Sequence, residues 1–173
     1  MIKFLKNNIF YIYLFICFSA QAVEDPVANN LGNYNDWGAY SWNLEEGKVC
    51  SILSYPKKEE GKYSVRGEVL SQVTMKEDYP ESGIVSFKAG YPIKPGSKIE
   101  IIVDGKTIAQ FDLLRDQMAW ASDVKFDAIL IKAMKKGTTM VVNGVSSKGT
   151  KTKDTYSLRG FTASHKAISK TCK

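Results

Sequence analysis

The sequence predicts an all-β fold, a β-sandwich with one or two short helices, including one at the C-terminus. Three observations support this prediction. Seven or eight short runs of β-branched and aromatic residues are separated by turn residues. Asp104 and Gly105 stand between two such runs, a pair that is typical of a two-residue hairpin turn. Near the C-terminus the apolar spacing becomes helical. A small barrel is the alternative architecture for these strands.

The first 22 residues have the features of a signal peptide. Two lysines precede an uncharged apolar run at residues 9–18, and Ala20 and Ala22 supply the small side chains that a signal peptidase recognises. We expect cleavage after Ala22. The alternative is an uncleaved anchor, but the run has only about half of the ~20 apolar residues that a bilayer crossing needs.

The rest of the chain divides into a short lead-in and one domain. Residues 23–33 are small, polar and turn-forming, so we expect a flexible lead-in. Residues 34–173 have the length of one domain with its own hydrophobic core. No transmembrane segment is predicted after removal of the signal peptide.

Six strands are predicted in the first part of the domain. Each is a run of aromatic or β-branched residues that ends at a Gly, Pro or charged turn. They occupy residues 37–42, 49–55, 63–75, 84–89, 98–103 and 106–114. Residues 57–61 are charged and end in glycine, and we interpret them as a hairpin loop. Gly67 is a candidate bulge in the third run.

A short helix is predicted between Asp123 and Gly137. Asp123 is a suitable N-cap, and Gly137 a suitable terminator. Phe126, Leu130 and Ala133 share one helical face and are expected to be its buried side. The competing interpretation is a strand through residues 129–131.

Two strands and a helix are predicted to complete the domain. Residues 138–145 and 150–158 have the character of strands. After Gly160, the residues Phe161, His165, Ile168 and Cys172 recur at helical spacing and share one face. Thr162 is the expected N-cap of this helix.

Export to an oxidising compartment would favour a disulfide between the cysteines of the mature chain. Cys17 is lost with the signal peptide, so Cys50 and Cys172 remain. Two thiols in an oxidising compartment usually pair, which predicts a disulfide between an early strand and the C-terminus. The alternative is a pair of free buried thiols.

No enzyme site is predicted. His165 is the one histidine of the chain, and a hydrolytic triad would have to join it to residues such as Ser157 and Asp154. Because its helical face is apolar, we expect His165 at the edge of the core with a ring nitrogen bonded to the backbone. The chain carries no nucleotide-binding or calcium-loop motif, and we expect no catalytic residue, cofactor or metal.

The charge is basic, with a formal net charge of +6. A possible basic surface consists of Lys151, Lys153, Arg159, Lys166 and Lys170. Outside the cytosol the expected partner is an envelope or host-surface protein or an anionic glycan, and not nucleic acid. The alternative for these lysines is protection of an exposed sheet edge and ordinary solubility.

Four aromatic residues could form a recognition surface or fill the core: Trp37, Tyr40, Trp42 and Tyr91. We expect most of them in the core, because aromatic side chains supply the largest buried area.

The second half of the chain resembles a known family. Its most specific part is Gly-Thr-x-Thr-x-Asp-Thr-Tyr-Ser-Leu-x-Gly-Phe at residues 149–161, with Ala-Ile-Leu-Ile-Lys-Ala-Met-Lys-Lys-Gly at 128–137 before it. Gly-Tyr-Pro at 90–92, Trp37, Cys50 and Cys172 also match. This pattern is similar to the invasion-associated locus B family of Gram-negative bacteria. The resemblance implies an immunoglobulin-like sandwich and an exported location, and it supplies no catalytic residues.

These observations favour a periplasmic or secreted protein that acts by binding. Founding members of the family are linked to entry into host red cells, which implies a role in contact with a host surface. The alternative is a periplasmic structural or stress protein of the cell's own envelope.

Overall fold

The computed structural model describes residues 27–80 and 82–172 of the 173-residue chain. The predicted signal peptide therefore lies outside the described residues. Within these ranges the helices are α1 (Val124–Met134) and α2 (Phe161–Thr171). The strands are β1 (Asn29–Tyr34), β2 (Trp37–Leu44), β3 (Gly47–Ser54), β4 (Lys58–Gly61), β5 (Leu70–Lys76), β6 (Ile84–Lys88), β7 (Ile99–Val103), β8 (Lys106–Phe111), β9 (Leu113–Arg115), β10 (Met118–Trp120), β11 (Thr139–Val145) and β12 (Lys151–Ser157).

The strands form two antiparallel sheets, which confirms the predicted β-sandwich and its C-terminal helix. The seven-stranded sheet has the order β1-β2-β3-β5-β6-β10-β9. The five-stranded sheet has the order β4-β12-β11-β7-β8. The immunoglobulin constant-type arrangement has four strands in one sheet and three in the other, so this sandwich is larger.

One hydrophobic core lies between the sheets. Trp37 of β2, Phe111 of β8 and Tyr156 of β12 are among its largest fully buried side chains. The indole Nε1 of Trp37 donates a hydrogen bond of 2.9 Å to the carbonyl oxygen of Ser157. This bond joins the seven-stranded sheet to the five-stranded sheet, so Trp37 belongs to the core as predicted for most of the aromatic residues.

Helix α2 packs on the inner face of the seven-stranded sheet. Phe161 meets Trp37 edge to face, with ring centroids 4.9 Å apart. At the other end Cys172 forms a disulfide with Cys50 of β3, as predicted. Gly160 precedes the helix with φ 97°, and its α-carbon lies so close to the backbone of Tyr34 that a side chain would overlap it.

The N-cap predicted for α2 is wrong. Gly160 occupies the cap position and Thr162 lies inside the first turn. The hydroxyl of Thr162 instead donates to the carbonyl oxygen of Lys135 at 3.1 Å. The close packing of Gly160 against Tyr34 sets the start of the helix, a constraint that only the tertiary structure reveals.

The hairpin between β7 and β8 is confirmed. Asp104 and Gly105 have φ values of 47° and 80°, as a type I′ turn requires. The carboxylate of Asp104 also accepts hydrogen bonds from the backbone N–H groups of Thr138 and Thr139. The turn is therefore fixed against the start of β11.

The predicted hairpin loop at residues 57–61 is wrong. Residues Lys58–Gly61 form β4, which pairs with β12 at the edge of the five-stranded sheet. The chain thus leaves the seven-stranded sheet after β3 and returns to it at β5. Residues 63–69 were expected to belong to a strand, but they lie in this return, and Val65 is 88% exposed. Charged residues suit β4 because it is an edge strand.

Two further boundaries differ from the prediction. Strand β1 begins at Asn29, so the lead-in predicted for residues 23–33 contains an edge strand paired with β2. The strand predicted at 106–114 ends at Phe111, and β9 and β10 form an additional hairpin. Its turn contains Asp116 with φ 51°.

Helix α1 is confirmed and excludes the competing strand. Asp123 caps it by accepting a hydrogen bond of 2.9 Å from the N–H of Lys125. Its buried face differs from the predicted one, because Asp127, Leu130, Ile131 and Met134 are buried whereas Phe126 is exposed. The helix contacts β6 and β8, one strand of each sheet.

Candidate binding surface

The outer face of the seven-stranded sheet carries aromatic side chains. Along β2, Trp37 and Ala39 point into the core, so Tyr40 and Trp42 point outward. Helix α2 covers the inner side of these strands, where Cys50 binds Cys172. Sequence reasoning assigned most aromatic residues to the core and missed this outward pair, because alternation alone does not tell which parity faces inward.

The ring of Tyr40 leans along β2 toward Gly38. A β-carbon placed on Gly38 would come within 2.8 Å of Cε2 and of the hydroxyl oxygen of Tyr40, so the edge of the ring occupies space that a side chain at position 38 would need. Tyr40 and Trp42 are neighbours, with ring centroids 6.2 Å apart. We call Tyr40 and Trp42 the aromatic platform.

A shallow groove of about 290 Å³ adjoins the aromatic platform. Its walls include Tyr40, Leu53 and the exposed ring of Tyr55. Its polar lining is Asn33, Asn35, Asp36 and Lys57. Lys57 forms an ion pair with Asp36, and the hydrogen bond from Lys57 holds the pKa of Asp36 below its usual value. The groove thus combines ring surfaces with amide, carboxylate and ammonium groups.

A polar strip crosses the middle of the same face. The amide nitrogen of Gln72 donates to the hydroxyls of Ser51 and Thr74, both at 3.0 Å. Those two hydroxyls are themselves 2.9 Å apart. These bonds fix the side chain of Gln72 and leave its amide oxygen as an acceptor on the surface side.

The five residues of the predicted basic surface lie on separate elements. Lys151 and Lys153 point outward from β12, where the ammonium of Lys153 is 3.8 Å from Glu60 of β4. Arg159 lies in the connection to α2. Lys166 and Lys170 lie on α2, which packs against the other sheet. A shared basic site remains a prediction, and an ion pair already engages Lys153.

A buried ion pair supports β12 from its inward side. Arg66 and Asp154 have side chains only 3% and 5% exposed, and two hydrogen bonds of 2.6 and 2.7 Å join them. The Nε of Arg66 donates to the carbonyl oxygen of Ala89, and its guanidinium lies between the rings of Tyr63 and Tyr91. Arg66 is thus bound within the protein.

Sequence reasoning missed this pair, although one signal was present. Asp154 has the same parity in β12 as Tyr156 and Thr152, so an inward Tyr156 implies an inward carboxylate. A buried carboxylate requires a cationic or hydrogen-bonding partner.

The side chains considered for a triad bind elsewhere. His165 is buried, and its Nε2 lies 2.8 Å from the carbonyl oxygen of Ser82, as expected for the core edge. Asp154 binds Arg66, and the hydroxyl of Ser157 accepts from the N–H of Arg159. Residues 27–80 and 82–172 contain no group of three His, Cys, Asp or Glu residues that could hold a metal ion.

Within the described part of the chain, neither helix is long and apolar enough to cross a membrane. No curated protein and no solved structure matches this sequence. A family model does match: the one described as invasion associated locus B protein covers residues 37–169. That range begins with Trp37 in the core, includes the aromatic platform and the buried ion pair, and ends in α2. The chain therefore belongs to the invasion-associated locus B family.

Proposed function

We propose that this protein acts outside the cytosol, in the periplasm or after secretion, by binding a glycan on the outer face of β1, β2 and β3. The single observation that carries the proposal is the aromatic platform, in which the outward ring of Tyr40 lines a groove together with polar side chains.

Two features support an extracytoplasmic location. The Cys50–Cys172 disulfide suits an oxidising compartment, where such bonds persist. The first 22 residues have the composition of a cleavable signal peptide. Both features fit a protein whose ligand lies in the envelope or beyond it.

The chemistry of the groove suits a sugar. Sugar rings present apolar C–H faces that pack on flat aromatic surfaces, and their hydroxyls need both donors and acceptors. Tyr40 and Tyr55 supply the ring surfaces, while Asn33 and Asn35 supply both kinds of hydrogen-bonding group. Ligand sites characteristically combine apolar walls with a few such polar groups. The chain stays basic after Lys3 and Lys6 are lost with the signal peptide, and this favours the approach of an anionic glycan.

The test is binding of defined glycans to protein purified after export. Heparin fragments represent a host-surface source, and lipopolysaccharide core oligosaccharides represent the bacterium's own envelope. We expect one of the two to bind, with Trp42→Ala or Tyr40→Ala weakening the affinity about tenfold, equivalent to about 1.4 kcal/mol. The matched control is Phe126→Ala, which removes an exposed ring on α1.

Two results contradict the proposal. One is the absence of binding to either class of glycan at millimolar concentration. The other is binding that Trp42→Ala and Phe126→Ala weaken equally. An envelope structural protein is the remaining alternative. In that case the protein should remain with the envelope fraction after cell fractionation. The Trp42→Ala variant should be retained there to the same extent as the wild type.

The location is tested separately by cell fractionation and mass spectrometry without reductant. We expect a mature protein that begins at Val23, has an intact disulfide and lies outside the cytosol. A cytosolic protein that still begins at Met1 would contradict this part of the proposal.

A further inference from the structure

A second groove lies at the other end of the seven-stranded sheet, where α1 begins. It has a volume of about 490 Å³, within the range of small-molecule sites. Its apolar walls include Ile84, Leu113, Trp120 and Val124. Leu113 and Val124 are each more than half exposed, so the groove is open to solvent.

A carboxylate lies in the lining of this apolar groove. Asp127 is 2% exposed, and its Oδ1 accepts one hydrogen bond of 2.9 Å from the N–H of Val85. No other hydrogen bond reaches this carboxylate within residues 27–80 and 82–172. Its second oxygen keeps contact with solvent through the groove. A buried carboxylate with a single donor lacks most of the stabilisation that it had in water.

The surrounding charges leave Asp127 without a counterion. Arg115 of β9 lines the groove, but it forms no ion pair with Asp127 among the described residues. Lys125 of α1 is directed to Asp123, 3.7 Å away. Tyr79 completes the rim near β6. Burial raises the pKa of Asp127 to about 6, so the group is mostly ionised at neutral pH.

We propose that this groove binds a small amphiphile that carries a primary ammonium group on an apolar body. The ammonium donates hydrogen bonds to the free oxygen of Asp127, and the apolar body packs on Ile84, Leu113 and Trp120. The charge of Asp127 selects a cation over an alcohol or an acid of the same length. This site is separate from the aromatic platform and does not depend on the proposed glycan.

Three probes of equal chain length test the selection: octylammonium, octan-1-ol and octanoate, titrated by calorimetry at pH 7.5. Octylammonium is expected to bind at least tenfold more tightly than octan-1-ol, and octanoate is expected not to bind. Asp127→Asn should remove this preference, whereas the matched control Asp123→Asn, on the same helix, should keep it. Leu113→Ala should weaken both octylammonium and octan-1-ol.

The affinity for octylammonium should also fall between pH 7.5 and pH 5, as Asp127 takes up a proton. The binding of octan-1-ol should stay constant over the same range. Trp42→Ala should leave octylammonium binding unchanged, which distinguishes this site from the glycan site.

Several results would overturn the assignment. These are equal affinity for the amine and the alcohol, a preference that survives Asp127→Asn, or no binding of octylammonium below millimolar concentration. Thermal unfolding of the Asp127→Asn protein verifies that it folds, and Leu113→Ala provides an independent variant if it does not.

Discussion

The two outer faces of the sandwich differ in chemistry, although both are formed by strands in which inward and outward side chains alternate. The face of the five-stranded sheet presents lysines and glutamates, with Glu60 contacted by both Lys58 and Lys153. The face of the seven-stranded sheet presents Tyr40, Trp42 and Trp120. Opposite charges on neighbouring strands satisfy one another and remain hydrated. Aromatic rings on a surface contribute favourable burial only when a ligand or another protein covers them.

This difference indicates which face meets a ligand. An edge strand with charged residues, such as β4, resists pairing with another sheet. A surface of half-buried rings beside fixed polar groups is typical of a recognition site. Variants on each face can test whether the two faces differ in function and in the interactions that support them.

The largest effect on stability is expected from removing the disulfide that lies beneath the aromatic face. In the variant Cys50→Ser/Cys172→Ser, α2 is no longer tied to β3. The bond closes a sequence separation of 122 residues. Its loss should lower the free energy of unfolding by roughly 4–5 kcal/mol in the chain-entropy model. Chemical denaturation with and without reductant measures this change, and an unchanged midpoint would contradict it.

The next effect concerns the support beneath the charged face. Arg66→Met leaves Asp154 buried without its partner, so we expect a loss of about 3–5 kcal/mol. The double variant Arg66→Met/Asp154→Leu removes both charges and should recover a large part of that loss. Urea unfolding of the three proteins measures both steps. Equal stability of the single and double variants would show that the charge of Asp154 is not the cause.

A smaller effect is expected from Asp127, and it depends on pH. The carboxyl titrates near 3.8 in the unfolded chain and near 6 in the folded one, so between these values the folded protein holds more protons. The contribution of Asp127 to stability therefore declines as the pH rises from about 4 to about 6.

Asp127→Asn should remove this decline and stabilise the protein at pH 7. We expect on the order of 1–2 kcal/mol, because solvent in the groove screens part of the charge. Thermal unfolding of both proteins from pH 4 to pH 8 measures it. Parallel curves for the two proteins would contradict the assignment.

The smallest effect is expected on the charged face itself. Lys153→Gln breaks an exposed ion pair with Glu60, and exposed pairs contribute little to stability. We expect no measurable change in the unfolding midpoint and none in glycan affinity. A clear loss of glycan affinity would indicate that the five-stranded sheet binds the glycan, and the proposed functional difference between the two faces would be wrong.

Features set by local chemistry were predictable from the sequence. The Asp104–Gly105 turn needs positive φ at both positions, and few other structures explain that pair between two β-type runs. The spacing of Phe161, His165 and Ile168 identified α2 and its buried face. The pairing of Cys50 with Cys172 followed from the compartment and the number of thiols.

Features that depend on tertiary contacts were not predictable from the sequence. Residues Lys58–Gly61 look like a solvated loop, and only the free edge of β12 makes them a strand. Asp127 was not recognised because a charged residue was not expected on a buried helical face. The ring of Tyr40 leans toward Gly38 because that position has no side chain, and this arrangement becomes visible only when both outward positions are known.

The position of Cys172 in the chain has a consequence for biosynthesis. It follows all the described strands and both described helices in sequence, whereas Cys50 lies in β3. The bridge can therefore close only after the ribosome has translated every element that it encloses. Until then Cys50 lacks its partner, so a chain interrupted before α2 leaves Cys50 open to pairing with thiols of other proteins.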